Sequence, residues 1–337
     1  MILVIGATGF LGSHVVRQVA ASGETVRVLT RTTSDLRPIA DVPVDHVVGE
    51  LTDTELVRRA MAGCSAVVYC AVDTRAWLLD PAPLYATNVD ALRAVLEVAA
   101  DAGLEKFVYT SSMATIGRPA VGPATEDDPF DWADTATEYV LSRVAAEDMV
   151  LSRARAGAVP AVAMCVSNTY GSGDWAPTPH GAFVAGAALG RLRFTVRGFA
   201  SEAVAVDDAA AALVSAIERG RPGERYIVSE RFIDLAEVID LAARTGGHRP
   251  PRPALPRPAL YGLGAAGSAL ARLRRRPQKL TVSTVRLMHH MSPMSHAKAE
   301  HELDWHPRPV TDAVVDAARF WIDRVAARGS SRQPTAD

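Results

Sequence analysis

An α/β chain, with a doubly wound parallel sheet and a smaller, discontinuous C-terminal α/β substrate domain, is predicted by three observations. A glycine-rich turn, "GATGFLG", follows the first apolar run directly. Short β-branched runs then alternate with segments of helical spacing through about residue 169. Beyond Ser167 the pattern loosens into stretches punctuated by Gly and Pro.

Taken in order, the strand candidates are "ILVI", "TVRVLT", "DHVV", "AVVYC", "KFVYTS" and "VPAVAMCV", with helical spacing between most of them. Strand, helix, strand order predicts a parallel sheet covered on both faces, and near-continuous apolar character fits burial on both sides. Farther on, "SEAVAVDDAAAALVSAIERG" reads as a short strand and helix, and "ERYIVSE" as another strand, both assigned to the core domain. The next helix opens with "DLAE", where Asp234 and Glu237 have capping-box spacing. The expected division is residues 1–169 with about 201–229 as a nucleotide-binding domain, and about 170–200 with 230–327 as a substrate-binding domain. The last helix, "TDAVVDAARFWIDRVAA", precedes a polar tail, 328–337, expected to be disordered.

Composition narrows the function. The chain has 337 residues, 48% of them hydrophobic, enough for one large domain or two closely joined ones. A net charge of -2, from 36 basic and 38 acidic residues, offers no global field for nucleic acid or an anionic membrane. Small molecules are the expected partners. Cys64, Cys70 and Cys165 lie in or beside apolar runs without metal-ligand spacing, as free thiols in a reducing compartment do. The apolar run at residue 1 breaks at Gly6 without a basic segment before it, so no signal peptide is read. No run reaches the roughly 18 apolar residues of a membrane span. The expected location is the cytoplasm.

The glycine motif carries the first chemistry. Gly6 makes the tight turn, Gly9 lets the backbone approach a pyrophosphate, and Gly12 lets helix and sheet pack closely. The helix N-terminus supplies free N–H groups and a positive dipole end. This is the Rossmann dinucleotide fingerprint in its proper context, and Thr8, Phe10 and Leu11 belong to the same cofactor-binding turn. About 20 residues on, where an NAD enzyme carries an acidic residue, the chain has Thr30 and Arg31. A guanidinium there pairs with a 2′-phosphate, so NADP(H) is favoured over NAD(H).

With "GATGFLG", "YTSSMATIG" and "EYVLSRVAAE" read together, the chain resembles the extended short-chain dehydrogenase/reductase superfamily, the NAD-dependent epimerase/dehydratase family. The resemblance is greatest to dihydroflavonol 4-reductase-like and hopanoid-associated sugar epimerase-like members. It continues through "VVGELTD", "LYATNVDALRAVL", "ERGRPGERYIV" and "AKAEHELDWHPRP". It implies a Ser, Tyr, Lys catalytic set, carried here by Ser112, Tyr139 and Arg143, with arginine at the lysine position. It places Thr110 and Ser111 on the cofactor side of the same strand end, and Asn88 as a support of the nicotinamide region. Glu50 and Leu51 match the pair beside the adenine, where relatives usually carry Asp for Glu50. Cys70, Ala71 and Val72 pass beneath the phosphates and ribose, and Val166 to Asn168 border the nicotinamide without the proline common there.

The chemistry also follows from the residues. A carbonyl that takes a hydride needs a proton donor, and an ordinary phenol, of pKa about 10, is slow at neutral pH. A nearby cation stabilises phenolate. Tyr139 and Arg143, at i and i+4, project from one helix face, and Ser112 is placed to hold the substrate oxygen. Arginine keeps the charge but releases no proton, and a displacement of about 1 Å can cost about 100-fold. Three readings follow: an NAD(P)(H)-dependent oxidoreductase acting on a ketone or secondary alcohol, a nucleotide-sugar epimerase or dehydratase with Arg191, Arg193 and Arg197 gripping a diphosphate, and a cofactor-binding protein without redox turnover.

Other features carry less. His289, His290, His296, His301 and His306 crowd together without a zinc pattern, so no metal is expected. "RLRRRPQK" reads as a solvated face. Trp77, Trp132 and Trp175 fall in loops expected to rim the cleft, which suits a fairly apolar or ring-containing substrate. Long helices around Leu84 to Ala102 and Tyr139 to Ala156 suggest a homodimer.

Overall fold

A computed structural model describes residues 1–196, 198–252, 254–288 and 291–330. Four buried apolar residues form β1 (Ile2–Ile5), and the glycine turn leads into α1 (Phe10–Ala21). The alternation continues through β2 (Val26–Thr30), β3 (Asp45–Val48), α2 (Thr54–Met61) and β4 (Ala66–Tyr69). A short helix, α3 (Ala82–Tyr85), passes through a π-helical turn at Ala86–Asp90 into α4 (Ala91–Asp101). Then come β5 (Lys106–Ser112), α5 (Glu138–Arg155) and β6 (Ala161–Val166). Two helix starts are fixed by side chains: Asp53 accepts from the Leu56 amide, and Thr137 from that of Val140.

The second half begins with β7 (Asn168–Tyr170), α6 (Gly181–Ala188), β8 (Thr195–Val196), β9 (Ala200–Ala205), α7 (Val206–Arg219) and β10 (Arg225–Val228). It ends with β11 (Arg231–Asp234), α8 (Leu235–Thr245), β12 (Ala254–Leu255), α9 (Arg257–Arg274), α10 (Val282–Met288), α11 (Ala297–Leu303) and α12 (Val310–Ser330). Asp234 caps α8 by accepting from the Ala236 amide at 2.8 Å, but Glu237 pairs with Arg231 instead of completing the box. The last helix runs to Ser330, three residues into the expected tail, and residues 331–337 lie outside the described residues.

Seven parallel strands form one sheet in the order β10-β6-β5-β4-β1-β2-β3. This is a Rossmann sheet: the chain leaves β1 in one direction through β2 and β3, then returns to β4 on the other side, which opens a crevice at the strands' C-terminal ends. Strands β1, β4 and β6 are buried along their whole length, as helices on both faces require. One face packs Val15, Val16 and Val19 of α1 with Ala209 and Leu213 of α7; the other packs Val57, Leu92, Leu96 and Val150.

A second sheet has the order β11-β9-β7, with β9 parallel to β7 and antiparallel to β11. The strand in "SEAVAV", expected with the core domain, therefore belongs to this small sheet, whereas α7 and β10 stand with the large one. The difference lies in partner choice: a strand buried along nearly its whole length fits either sheet, and only tertiary pairing selects one. Val184, Val238, Ile239 and Val314 form its core with α6, α8 and α12.

Candidate active site

The glycine turn sits against the end of β4. Gly6 has φ +80°, and a Cβ there would lie 2.5 Å from the Ala71 nitrogen; one on Gly12 would lie 2.2 Å from the Gly6 oxygen. Both positions exclude a side chain, so the backbone closes into a cradle at the head of α1. The amide of Gly9 donates to the Gly6 oxygen at 3.0 Å and fixes the turn.

Above this turn lies a cleft of about 1380 Å³ that spans the crevice and continues toward the small sheet. Typical single-ligand pockets run from roughly 300 to 1,000 Å³, so the cleft has room for an extended dinucleotide and a second molecule. Gly6, Thr8, Gly9, Phe10, Leu11, Gly12, Arg31, Glu50, Leu51, Cys70, Ala71, Val72, Thr110, Ser112, Tyr139, Arg143, Val166 and Asn168 all border it. Of the residues expected in the catalytic set or at the cofactor, Asn88 alone does not.

The chemistry converges on one stripe of α5, where Tyr139, Arg143 and Glu147 follow at intervals of four. Arg143 is almost fully buried, yet it borders the cleft. Its Nη2 donates to the main-chain oxygen of Thr110, and its guanidinium carbon stands 5.2 Å from the centre of the Tyr109 ring. Its Nε and Nη1 find no partner among the described residues. Two buried donors on a cation at the cleft wall match vicinal hydroxyls such as a ribose presents. With the glycine cradle, these groups fit a dinucleotide.

Glu147 was not foreseen, although its spacing from Arg143 could have revealed it. Its carboxylate accepts from Ser111 Oγ, from Thr115 Oγ1 at 2.8 Å and from Cys165 Sγ at 3.3 Å, and pairs with Arg225 at 3.1 Å. It thereby ties α5 to β5, β6 and β10 beneath the site. Burial and the Glu147 charge push the Cys165 thiol well up, and burial pushes that of Cys70 up to about 12, with the Thr110 hydroxyl offsetting part of the shift. Neither is an activated nucleophile.

Asn88 sits in the π-helical turn, a local widening often found at functional sites. Its Oδ1 accepts from the Asp73 amide at 2.8 Å, and its Nδ2 donates to the Asp73 oxygen at 3.1 Å and to Ser142 Oγ at 3.0 Å. Ser142 Oγ in turn donates to the main-chain oxygen of Tyr139 at 2.7 Å. Asn88 thus works from behind the wall, fastening the loop after β4 to the helix that carries Tyr139. Burial raises the pKa of Asp73, but the Arg75 hydrogen bonds and charge outweigh it and hold the carboxyl below its ordinary value. Ser112 Oγ accepts from the Ala114 amide at 3.2 Å and lies at the cleft.

Toward the small sheet the lining turns apolar, with Met113, Leu192, Phe199, Ile233, Leu287 and Met291. Trp77 and Trp175 border the cleft, but Trp132 does not; it is buried against Phe130 and Val140, with Nε1 donating to the Ile116 oxygen at 3.4 Å. Its loop position was legible, its inward rotation was not. Arg191 and Arg193 do not border the cleft, and Arg197 lies outside the described residues. Asp174 and His180, also unforeseen, do border it. Burial pushes Asp174 up to about 6 against hydrogen bonds from Thr178, and His180 down to about 4 although Nε2 donates to the Thr169 oxygen. Of the five clustered histidines, His289 and His290 lie outside the described residues, and no metal-binding group of three or more is present among the described ones.

The model of the NAD dependent epimerase/dehydratase family matches residues 2–229. "Sterol demethylase protein B" from Methylococcus capsulatus is 28% identical over 325 residues, 96% of this chain and 98% of its own length. A Synechocystis sp. protein provisionally named dihydroflavonol 4-reductase is 32% identical over 266 residues, 75% of this chain and 74% of its own. The crystal structure of gox2253 shares 34% identity, with a TM-score of 0.84, over 96% of this chain and 98% of that one.

Proposed function

The chain belongs to the NAD dependent epimerase/dehydratase family, whose members are NAD-dependent enzymes, and on that premise we propose an NADP(H)-dependent oxidoreductase that interconverts a ketone and a secondary alcohol. The observation that carries the proposal is one cleft bordered together by the glycine cradle, Ser112, Tyr139 and Arg143, whose Nε and Nη1 are buried without a partner among the described residues. When bound, the nicotinamide cofactor supplies or accepts the hydride. Tyr139 gives its hydroxyl proton to the substrate oxygen in reduction and takes it back in oxidation. Ser112 donates to that oxygen and fixes its place. Arg143 holds positive charge below the phenol and its free donors grip a ribose; because a guanidinium releases no proton, Tyr139 is recharged from solvent. Arg31, at the rim beside Ser34, is the group proposed to meet a 2′-phosphate and favour NADP(H).

An apolar lining in the substrate half supports a fairly apolar, ring-containing ketone or alcohol. A nucleotide-linked sugar has less support, since Arg191 and Arg193 stand away from the cleft. The proposed division of labour gives 1–169 with α7 and β10 to the cofactor, and about 170–200 with β9 and 230–327 to substrate. No helix among the described residues is long and apolar enough to cross a membrane, and we place the enzyme in the cytoplasm as a homodimer. The test is Tyr139→Phe, assayed on a panel of apolar ketones with cofactor binding followed by calorimetry. The expected result is a loss of about 100- to 10,000-fold in turnover with cofactor affinity kept. Unchanged turnover overturns the acid/base assignment, and absence of binding to either nicotinamide cofactor overturns the whole reading.

A further inference from the structure

The chain's near-neutral charge hides a strong local asymmetry. Residues 241–299 hold 11 of its 36 basic residues and none of its 38 acidic ones. In the middle of this window lies α9, whose residues 258–271, "PALYGLGAAGSALA", carry no charged side chain. One side of the helix packs tightly: a Cβ on Gly267 would lie 2.0 Å from the Leu280 oxygen, one on Gly264 would lie 3.0 Å from that of Thr281, and Ser268 Oγ accepts from the Val282 amide at 3.1 Å. With that side fixed on the chain leading to α10, the opposite side faces out.

What faces out is apolar. Pro258, Leu263, Ala265, Ala266, Ala269 and Leu273 are exposed, with Leu263 at 44% and Leu273 at 83%. A solvent-facing helix ordinarily carries charge there. The charge stands at the ends instead, with Arg257 before the stripe and Arg272, Arg274, Arg275 and Arg276 after it. The same segment reaches the cleft: Lys279 and Leu280 border it, and the Lys279 ammonium lies 5.5 Å from the centre of the Trp77 ring.

We infer that α9 and its arginine-rich end dock on an anionic lipid surface, with the leucine stripe lying in the interface and the guanidinium groups at headgroup level. Apolar area and cations in one segment are the two requirements of a helix that lies on a bilayer without crossing it. Charge complementarity selects this occupant over a second copy of the chain, because a two-fold contact would set like-charged arginine clusters against each other. It selects lipid over nucleic acid because the central stripe offers a phosphate backbone no donor. The "RLRRRPQK" run, read from sequence as a solvated face, gains a partner in this arrangement. The inference stands independently of the redox reading, since it involves none of the residues assigned to catalysis.

The experiment is sedimentation of the full chain with vesicles of phosphatidylcholine alone and of phosphatidylcholine with about one third phosphatidylglycerol. Binding to the anionic vesicles, weakened by added salt, is expected. Leu263→Glu with Leu273→Glu should lower partition at least about tenfold, and Arg272→Gln, Arg274→Gln and Arg276→Gln about fivefold for each arginine. Thermal unfolding and cofactor binding should stay as in the parent, showing that the fold is intact. Equal sedimentation with both vesicle types, or full binding by the leucine variant, overturns the inference. So does a dimer that the leucine variant dissolves, which gives the stripe to a second copy, or tighter binding to duplex DNA than to anionic vesicles.

Discussion

Arg143 donates to the main-chain oxygen of Thr110 on the neighbouring strand, so the cation beside Tyr139 is held by the sheet and not only by its own helix. The contact spends one of five N–H donors, the guanidinium carbon stands over the Tyr109 ring, and two buried nitrogens have no partner among the described residues. An arginine fixed in this way is a permanent charge with a set position.

From this follows a graded series. Arg143→Lys keeps the charge but gives up the planar fork, and turnover is expected to fall no more than about tenfold. Arg143→Met removes charge and donors together, and kcat/KM is expected to fall at least about 100-fold with weaker cofactor binding. Steady-state kinetics on one identified substrate, with calorimetry of the cofactor, separates the two; equal losses in both variants would exclude a role for the charge.

Asn88 makes three hydrogen bonds from a fully buried position, two to Asp73 and one to Ser142. Asn88→Ala strands the Asp73 amide and carbonyl, and a destabilisation of about 2–4 kcal/mol in urea unfolding is expected. Because the loop after β4 loosens, the KM for cofactor should rise more than kcat falls. A loss confined to kcat would speak against this positioning role.

Asp174 gives a pH signature. Burial raises its carboxyl from 3.8 to about 6, so the folded chain holds a proton that the unfolded chain has released. Above pH 6 the buried charge opposes folding by about 3 kcal/mol, and this cost is relieved as pH falls from 6 toward 4. Asp174→Asn should therefore be more stable than the parent by about 1–3 kcal/mol at pH 8, with the gap closing by about pH 4. Denaturant unfolding at several pH values checks it; a gap independent of pH removes the assignment.

What could be read from the chain alone was whatever depends on local pattern. The glycine triplet must follow a strand and precede a helix, and Gly6 and Gly12 do so because only backbone fits against Ala71 and Gly6. Tyr139 and Arg143 were legible because four residues along a helix is a spatial neighbour. Partner choice was not legible. The pattern of β9 fits two sheets, Trp132 points inward instead of to the rim, and Asn88 works through Asp73 from behind the cleft. The exposed stripe of α9 also escaped, since which side of a helix of alanine, glycine and leucine packs is decided by tertiary contacts.

The order of the large sheet carries a consequence for how the chain is made. Strand β6 is buried along its whole length between β5 and β10, yet β10 begins 59 residues after β6 ends. While the chain is emerging from the ribosome, that edge stays open, a row of unsatisfied peptide groups that invites wrong neighbours. Until Arg225 arrives, the carboxylate of Glu147 also lacks its cationic partner. Nascent chains cut short before residue 228 should thus be the ones that chaperones hold and proteases find.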